Sequence, residues 1–187
     1  QPDMVIVPGS KNTMSDLKWM RQNGMEAAIL KLAAANVPVL GICGGYQMLG
    51  ESIEDPDGEE GGGSLHGMGL LPVRTVFGKE KVQTRVTGEI LQNPGAGDGL
   101  FAALSGSVFS GYEIHMGHTT GNGKNSFSRI RTLTNGSTEA EEDWQADGAV
   151  CGNVAGTYVH GLFEDGSLTK NLCGALLSKK GICAEAL

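Results

Sequence analysis

Short apolar runs and helical spacing alternate along the first quarter of the chain. Met4 to Val7 is a β-branched apolar run closed by Pro8-Gly9-Ser10, the pattern of a buried strand ending in a functional loop. Apolar positions at Leu17, Met20, Met25, Ala28, Ile29 and Leu32 then recur at helical spacing, interrupted near Asn23-Gly24. Val37 to Ile42 is a second apolar run that leads straight into Cys43. Strand, helix, strand in this order predicts a right-handed crossover and a parallel α/β sheet.

Beyond residue 50 the pattern changes. Asp55 to Gly63 is acidic and glycine-rich, which predicts a mobile surface loop. Gly69 to Phe77 and Lys81 to Ile90 alternate and are β-rich, so they are expected to pair with one another. Val108 to His118 and Ser128 to Leu133 read as further strands, separated by a turn region at Thr120 to Asn125. Gly148 to Cys151 and Thr157 to His160 flank a hairpin turn at Gly152-Asn153, and Leu168 to Ser178 closes the pattern as a helix. The expectation is one domain over residues 1–187, α/β, with a mostly parallel central sheet flanked by helices and an additional antiparallel portion.

Composition narrows the function classes. Apolar residues at 40% and charged residues at 19% fit a globular domain, while 30 glycines point to tight turns and close backbone approaches. A net charge of −7 without a Lys/Arg cluster argues against nucleic acid as a partner. With no apolar run near 20 residues and no basic-then-apolar start, neither a membrane span nor a secretory leader is expected, and the chain reads as cytoplasmic. Gln1 stands directly before an apolar run, which suggests a piece of a longer polypeptide.

Four widely spaced cysteines without a C-x-x-C pair make zinc and disulfide chemistry weak readings. Cys151, Cys173 and Cys183 lie in apolar or helical surroundings and are expected to be packed structural thiols. Cys43 differs, because Gly41-Ile42-Cys43-Gly44-Gly45 has the G-x-nucleophile-x-G form in which a strand turns abruptly into a helix. Small neighbours allow the strained turn, the helix N-terminus favours the thiolate, and the Gly44 N–H becomes an oxyanion donor. A packed thiol in a tight turn would use the same pentapeptide, so a base is needed to tell the two apart. His160, at the end of the Thr157-Tyr158-Val159 run, is the leading candidate. His66 has no H-x-x-x-H or carboxylate partner, so no metal site is expected.

Four segments carry a resemblance to a known family. Gly41 to Gly50, reading G-I-C-G-G-Y-Q-M-L-G, resembles the nucleophile segment of class I glutamine amidotransferases, specifically the cobyric acid synthase branch. Pro8-Gly9-Ser10-Lys11-Asn12-Thr13, Ser110-Gly111-Tyr112-Glu113-Ile114-His115-Met116-Gly117 and Gly156 to Phe163 point the same way. The resemblance implies the flavodoxin-like fold of that class, a Cys43 γ-glutamyl thioester and His160 as proton shuttle. It further implies a second oxyanion N–H from the Gly9-Ser10 loop, with Gln47 and the strand from Tyr112 to His115 helping to hold glutamine.

One position departs from the family pattern. The acid of the usual class I triad would stand two residues after the histidine, where this chain has Leu162, and the resemblance to the cobyric acid synthase branch implies that this branch lacks it. Glu164 or Asp165 could substitute, or the site could run as a Cys–His dyad. No G-x-x-x-x-G-K-[ST] loop occurs in the chain. Itself expected to hold no cofactor, the domain is thus expected to supply ammonia to an N-terminal ATP-dependent synthetase domain on the same polypeptide, which would bind ATP and Mg. The implied reaction is amidation of adenosylcobyrinic acid diamide in cobalamin biosynthesis. Two alternatives remain: the glutaminase subunit of a peptidoglycan lipid-precursor amidating complex, and a catalytically silent docking domain.

Overall fold

The computed structural model describes residues 2–121, 123–133, 144–164 and 166–183. The first half runs β1 (Val5–Val7), α1 (Thr13–Gln22), α2 (Met25–Ala34), β2 (Val39–Ile42), α3 (Gly44–Leu49), β3 (Ser52–Asp55), β4 (Gly63–His66) and β5 (Arg74–Ile90). The second half runs α4 (Leu100–Ala103), β6 (Val108–Thr120), β7 (Ser128–Thr132), β8 (Gln145–Asp147), β9 (Ala149–Cys151), β10 (Val154–Thr157), β11 (Val159–His160) and α5 (Gly166–Lys179).

The strands form two sheets. The first has the order β1-β2-β10-β9, parallel except for the last pair, with Val7 opposite Gly41 and Thr157 opposite Ile42. Alternation along β1 and β2 sends Val7 and Val39 to one face, where Met14, Leu17, Met20 and Ile29 of α1 and α2 cover them. Leu40 and Ala155 face the other way, into a second apolar cluster with Leu162 and with Leu168 and Leu172 of α5. The predicted break in the first helical stretch is real. Asn12 caps α1 by accepting from Ser15 N at 2.8 Å, and Gly24 at φ 75° joins it to α2.

The second sheet, of seven strands, follows the path β11-β6-β5-β3-β4, with β7 on β5 and β8 on β7. Among the described residues, only β3 and β5 are parallel there. The α/β class and the antiparallel portion expected from the sequence are both present, and the antiparallel portion is the larger.

Three local readings change. Gly69 to Phe77 and Lys81 to Ile90 do not pair with one another. Arg74 to Ile90 is one strand, and both of its halves pair with β6 across a register shift between Val76 and Lys81. Gly78 signals a turn or a bulge equally well, and the length of β6 decides for the bulge. The acidic Asp55 to Gly63 stretch is the turn of a β3–β4 hairpin, in which the Asp55 carboxylate accepts from Glu59 N, Glu60 N and Gly62 N at 2.7–2.9 Å. Burial raises the Asp55 pKa and those donations lower it; the donations win, holding it below the ordinary value. The hairpin at Gly152-Asn153 joins β9 to β10, whereas Val159-His160 belongs to the other sheet. Of the turn at Thr120 to Asn125, Asn122 lies outside the described residues. Among the described residues no helix is long and apolar enough to cross a membrane.

Candidate active site

Cys43 caps α3 at φ 51° and ψ −111°, a region that non-glycine residues occupy at a cost of about 1–3 kcal/mol. The neighbouring glycines make this turn possible. A Cβ on Gly45 would sit 2.0 Å from the Val7 carbonyl oxygen, so the first turn of α3 can lie directly on β1 only because residue 45 is glycine. Cys43 N donates to Thr157 O at 2.8 Å and Cys43 O accepts from Gln47 N at 3.0 Å, which ties the turn to β10 below and to α3 above.

The sulfur is buried. The Cys43 thiol donates to the Ile114 carbonyl of β6 at 3.3 Å, and the Gly44 N–H is bonded to the same sulfur. Burial pushes the Cys43 thiol above its ordinary pKa; the Gly44 N–H pulls it back, and the Glu60 carboxylate adds to the rise. The sequence led to the opposite expectation, a thiolate favoured by a helix N-terminus. With only six residues in α3, desolvation outweighs the helix end.

His160 and Cys43 lie on either side of Gly9. A Cβ on Gly9 would lie 3.0 Å from His160 Cε1 and 3.6 Å from Cys43 Cβ, so this glycine is a thin spacer between thiol and imidazole. The two side chains arrive from different sheets, Cys43 after β2 and His160 in β11. Ser10 N packs 2.9 Å from a Cβ built on Gly44, which puts the Gly9-Ser10 loop beside the Gly44 N–H. The Ser10 hydroxyl donates to Asp16 and accepts from Asn12 N at 3.0 Å.

Gln47, His115 and Tyr112 occupy three different settings. Gln47 is buried and fully engaged, accepting from Thr13 Oγ1 at 3.1 Å and donating to Met116 O at 3.1 Å and Tyr158 Oη at 3.2 Å. It works as a strut between α3 and β6. His115 stacks on Tyr158 at 3.8 Å, with Nε2 2.9 Å from the Glu113 carboxylate and Nδ1 3.1 Å from Gly117 O. Gln47 and His115 border the same cavity of about 120 Å³ as Cys43, Ser10 and Ile114. Tyr112 does not; it pairs with His160 in register and is 44% exposed.

No carboxylate among the described residues is hydrogen-bonded to the His160 ring. Leu162 is 1% exposed and packs in the apolar cluster beside α5. Glu164 is exposed and closes a tight turn through its N–H to Gly161 O at 3.0 Å. Asp165 lies outside the described residues. A carboxylate that the sequence reading passed over sits deeper: Asp147 accepts from Ser128 Oγ at 2.7 Å, Thr157 Oγ1 at 2.5 Å and Tyr158 N at 3.0 Å. It fastens the segment in which the chain crosses from β10 to β11, two residues before His160. Burial pushes its carboxyl up against those three donations. Its only sequence signal is an acid set against the apolar Ala149-Val150 run.

Glu60 was likewise missed. Its carboxylate accepts from Met14 N at 2.9 Å and borders the Cys43 cavity, as do Lys11 and Lys81. The other three cysteines reverse their expected setting. Cys151, Cys173 and Cys183 are exposed free thiols, and Cys43 is the buried one.

Residues 1–168 match the CobB/CobQ-like glutamine amidotransferase domain. The chain belongs to that family. It is 50% identical over 182 residues to a cobyric acid synthase of Ruminiclostridium cellulolyticum, covering 97% of this chain and 34% of that protein. With a cobyric acid synthase of Lachnoclostridium phytofermentans it shares 44% identity over 188 residues, covering 99% and 36% respectively. The chain thus spans about a third of the length of these relatives. Among solved structures, a glutamine amidotransferase matches with a TM-score of 0.51 at 19% identity, covering 93% of this chain and 79% of that one. A glutamine amidotransferase from Thermotoga maritima matches with a TM-score of 0.50 at 17% identity, covering 100% and 70%. These two likenesses establish the fold, the one expected of class I amidotransferases. The relatives favour neither the peptidoglycan-precursor alternative nor the silent docking domain.

Proposed function

We propose that this domain hydrolyses glutamine by nucleophilic catalysis at Cys43, as the glutaminase portion of a cobyric acid synthase. The observation that carries the reading is the turn at Cys43, where a strained nucleophile, an N–H aimed at its sulfur and His160 across Gly9 converge. His160 takes the thiol proton and Cys43 attacks the γ-amide carbon, while the oxyanion is held by Gly44 N–H and an N–H of the Gly9-Ser10 loop. His160 protonates the departing ammonia and then activates the water that opens the thioester. The cavity is small enough to select a side-chain amide. Its charged rim, Glu60 against Lys11 and Lys81, suits the ammonium and carboxylate of a free amino acid. Gln47 contributes by bracing Met116, and with it the β6 segment above Cys43.

The ammonia is consumed elsewhere. Amidation of a carboxylate requires activation, and we assign that step to an N-terminal ATP- and Mg-dependent portion of a longer polypeptide in which this domain is C-terminal. The acceptor would be adenosylcobyrinic acid diamide, in cobalamin biosynthesis. Cys43→Ala in the complete enzyme tests the division of labour. Glutamine-dependent amidation should fall to background while ammonia-dependent amidation stays within about twofold of wild type, since only the thioester route is removed. Loss of both activities would refute it.

A further inference from the structure

Among the described residues, every hydrogen-bond partner of the Asp147 carboxylate is a donor. It accepts from Ser128 Oγ of β7 at 2.7 Å, from Thr157 Oγ1 of β10 at 2.5 Å and from Tyr158 N at 3.0 Å. Thr157 Oγ1 itself accepts from Val159 N at 3.0 Å, which leaves its own hydrogen to the carboxylate. One acid, 4% exposed, thus fixes the peptide units on both sides of Tyr158, where the chain passes from the first sheet to the second.

Both residues of the reacting pair are tied to those units. In a trans peptide the N–H and C=O point in opposite directions across one rigid plane. The plane whose N–H, that of Tyr158, donates to Asp147 has as its C=O that of Thr157, which accepts from Cys43 N at 2.8 Å. A single peptide plane therefore links the acid to the residue that bears the thiol. The next plane is held through the Val159 N–H, and His160 follows it directly. The Tyr158 side chain extends the same node to the cavity wall, since its hydroxyl accepts from Gln47 Nε2 at 3.2 Å and its ring stacks on His115 at 3.8 Å.

We propose that Asp147 is a positioning residue for glutamine hydrolysis, setting the alignment of Cys43 with His160 through the backbone. In a nucleophile–base–acid triad the acid orients the imidazole by a hydrogen bond to its ring. Here the alignment is made one step back, at the two peptide planes that meet at Tyr158. Burial opposes the ionisation of such an acid, so an apolar residue would be the better filler if packing were the only requirement. An apolar residue, however, would leave the Tyr158 N–H without its acceptor, and free the plane that meets Cys43. The inference rests on the reading above that Cys43 and His160 carry out the hydrolysis.

Asp147→Asn in the complete enzyme tests the role. The variant keeps the shape and one acceptor oxygen but sets an NH2 group against donors. Competent sites are counted by titration with a diazo-ketone analogue of glutamine, which alkylates the thiol, and turnover is expressed per titrated site. On that scale kcat for glutamine hydrolysis should fall at least about tenfold while KM stays within about threefold, the split expected when reacting groups are misaligned and binding is kept. Ser128→Ala removes one of the three donors and leaves the other two, so it should lower kcat per site by about threefold, and it decides the matter if Asp147→Asn does not fold. A purely structural support would lower Tm and the number of titrated sites but not the turnover of each. Wild-type kcat per site in Asp147→Asn, or in Ser128→Ala where the first variant does not fold, would therefore overturn the proposal. A raised KM at unchanged kcat would overturn it too, since that assigns Asp147 to glutamine binding. Cys43→Ala that still uses glutamine would defeat the reading of the site itself, whereas an inactive Cys43→Ala beside a normal Asp147→Asn would defeat this inference alone.

Discussion

Leu162→Glu places a carboxyl where the usual class I triad has its acid, and so tests whether the site lacks a third member. The structure predicts damage. Leu162 is 1% exposed and shares an apolar cluster with Val159, Leu168 and Leu172, so its removal forfeits about 2 kcal/mol of burial. A carboxyl held in such a pocket titrates near 8 rather than about 4.3, which at pH 7 costs roughly 3–4 kcal/mol more. The sign of the pH dependence follows: a raised acid binds its proton in the folded state, so the penalty is small below about pH 4.3 and grows as pH rises toward the folded value. Urea denaturation at pH 7 should show a loss of about 5 kcal/mol that shrinks to about 2 kcal/mol near pH 4. Glutaminase turnover should fall with it. Wild-type stability at pH 7 together with faster glutamine hydrolysis would refute the reasoning, and would mean that the pocket reorganises to present an acid to His160.

The buried, protonated state of Cys43 makes a kinetic prediction. Its raised pKa keeps the thiolate fraction below that of an ordinary cysteine, and its burial restricts access, so iodoacetamide at pH 8 should modify the exposed Cys151, Cys173 and Cys183 before Cys43. Peptide mapping that finds Cys43 alkylated first would contradict this. Gly156→Ala builds a Cβ 2.1 Å from the Tyr46 ring, which is 1% exposed and edge-on to Tyr158 at 5.2 Å. Overpacking of about 1–3 kcal/mol should lower Tm by roughly 3–10 °C, and an unchanged melting curve would show that Tyr46 has room to move.

The site was legible where its requirements are local. Small residues on both sides of Cys43 are demanded by a turn that the pentapeptide encodes by itself, and His160 follows from a strand end only three residues past Thr157. Long-range requirements were not legible. Asp147 acquires its hydrogen-bonded setting from Ser128, 19 residues earlier in the chain, and Glu60 from Met14, 46 residues earlier. Cys173 is adjacent to Leu172, and the two part company because the core meets only one side of α5. No spacing rule fixes that choice for a helix whose apolar residues are spread around it. Gly78 fails for another reason: a turn and a bulge make the same local demand, and the partner strand decides between them. Leu162 shows the limit most clearly, since a missing acid and a needed core residue are the same letter in the sequence.

The crossing at Tyr158 sets how the site could be tuned. Cys43 and His160 belong to separate sheets, so the gap between thiol and imidazole is not an internal dimension of either one. It is an alignment between two slabs, held by the Asp147 clasp at Thr157 and Tyr158 and shimmed by the width of Gly9. A displacement of one slab against the other would change the separation of Cys43 and His160, and the single residues Gly148 and Tyr158 that carry the chain between the slabs are where it would be resisted.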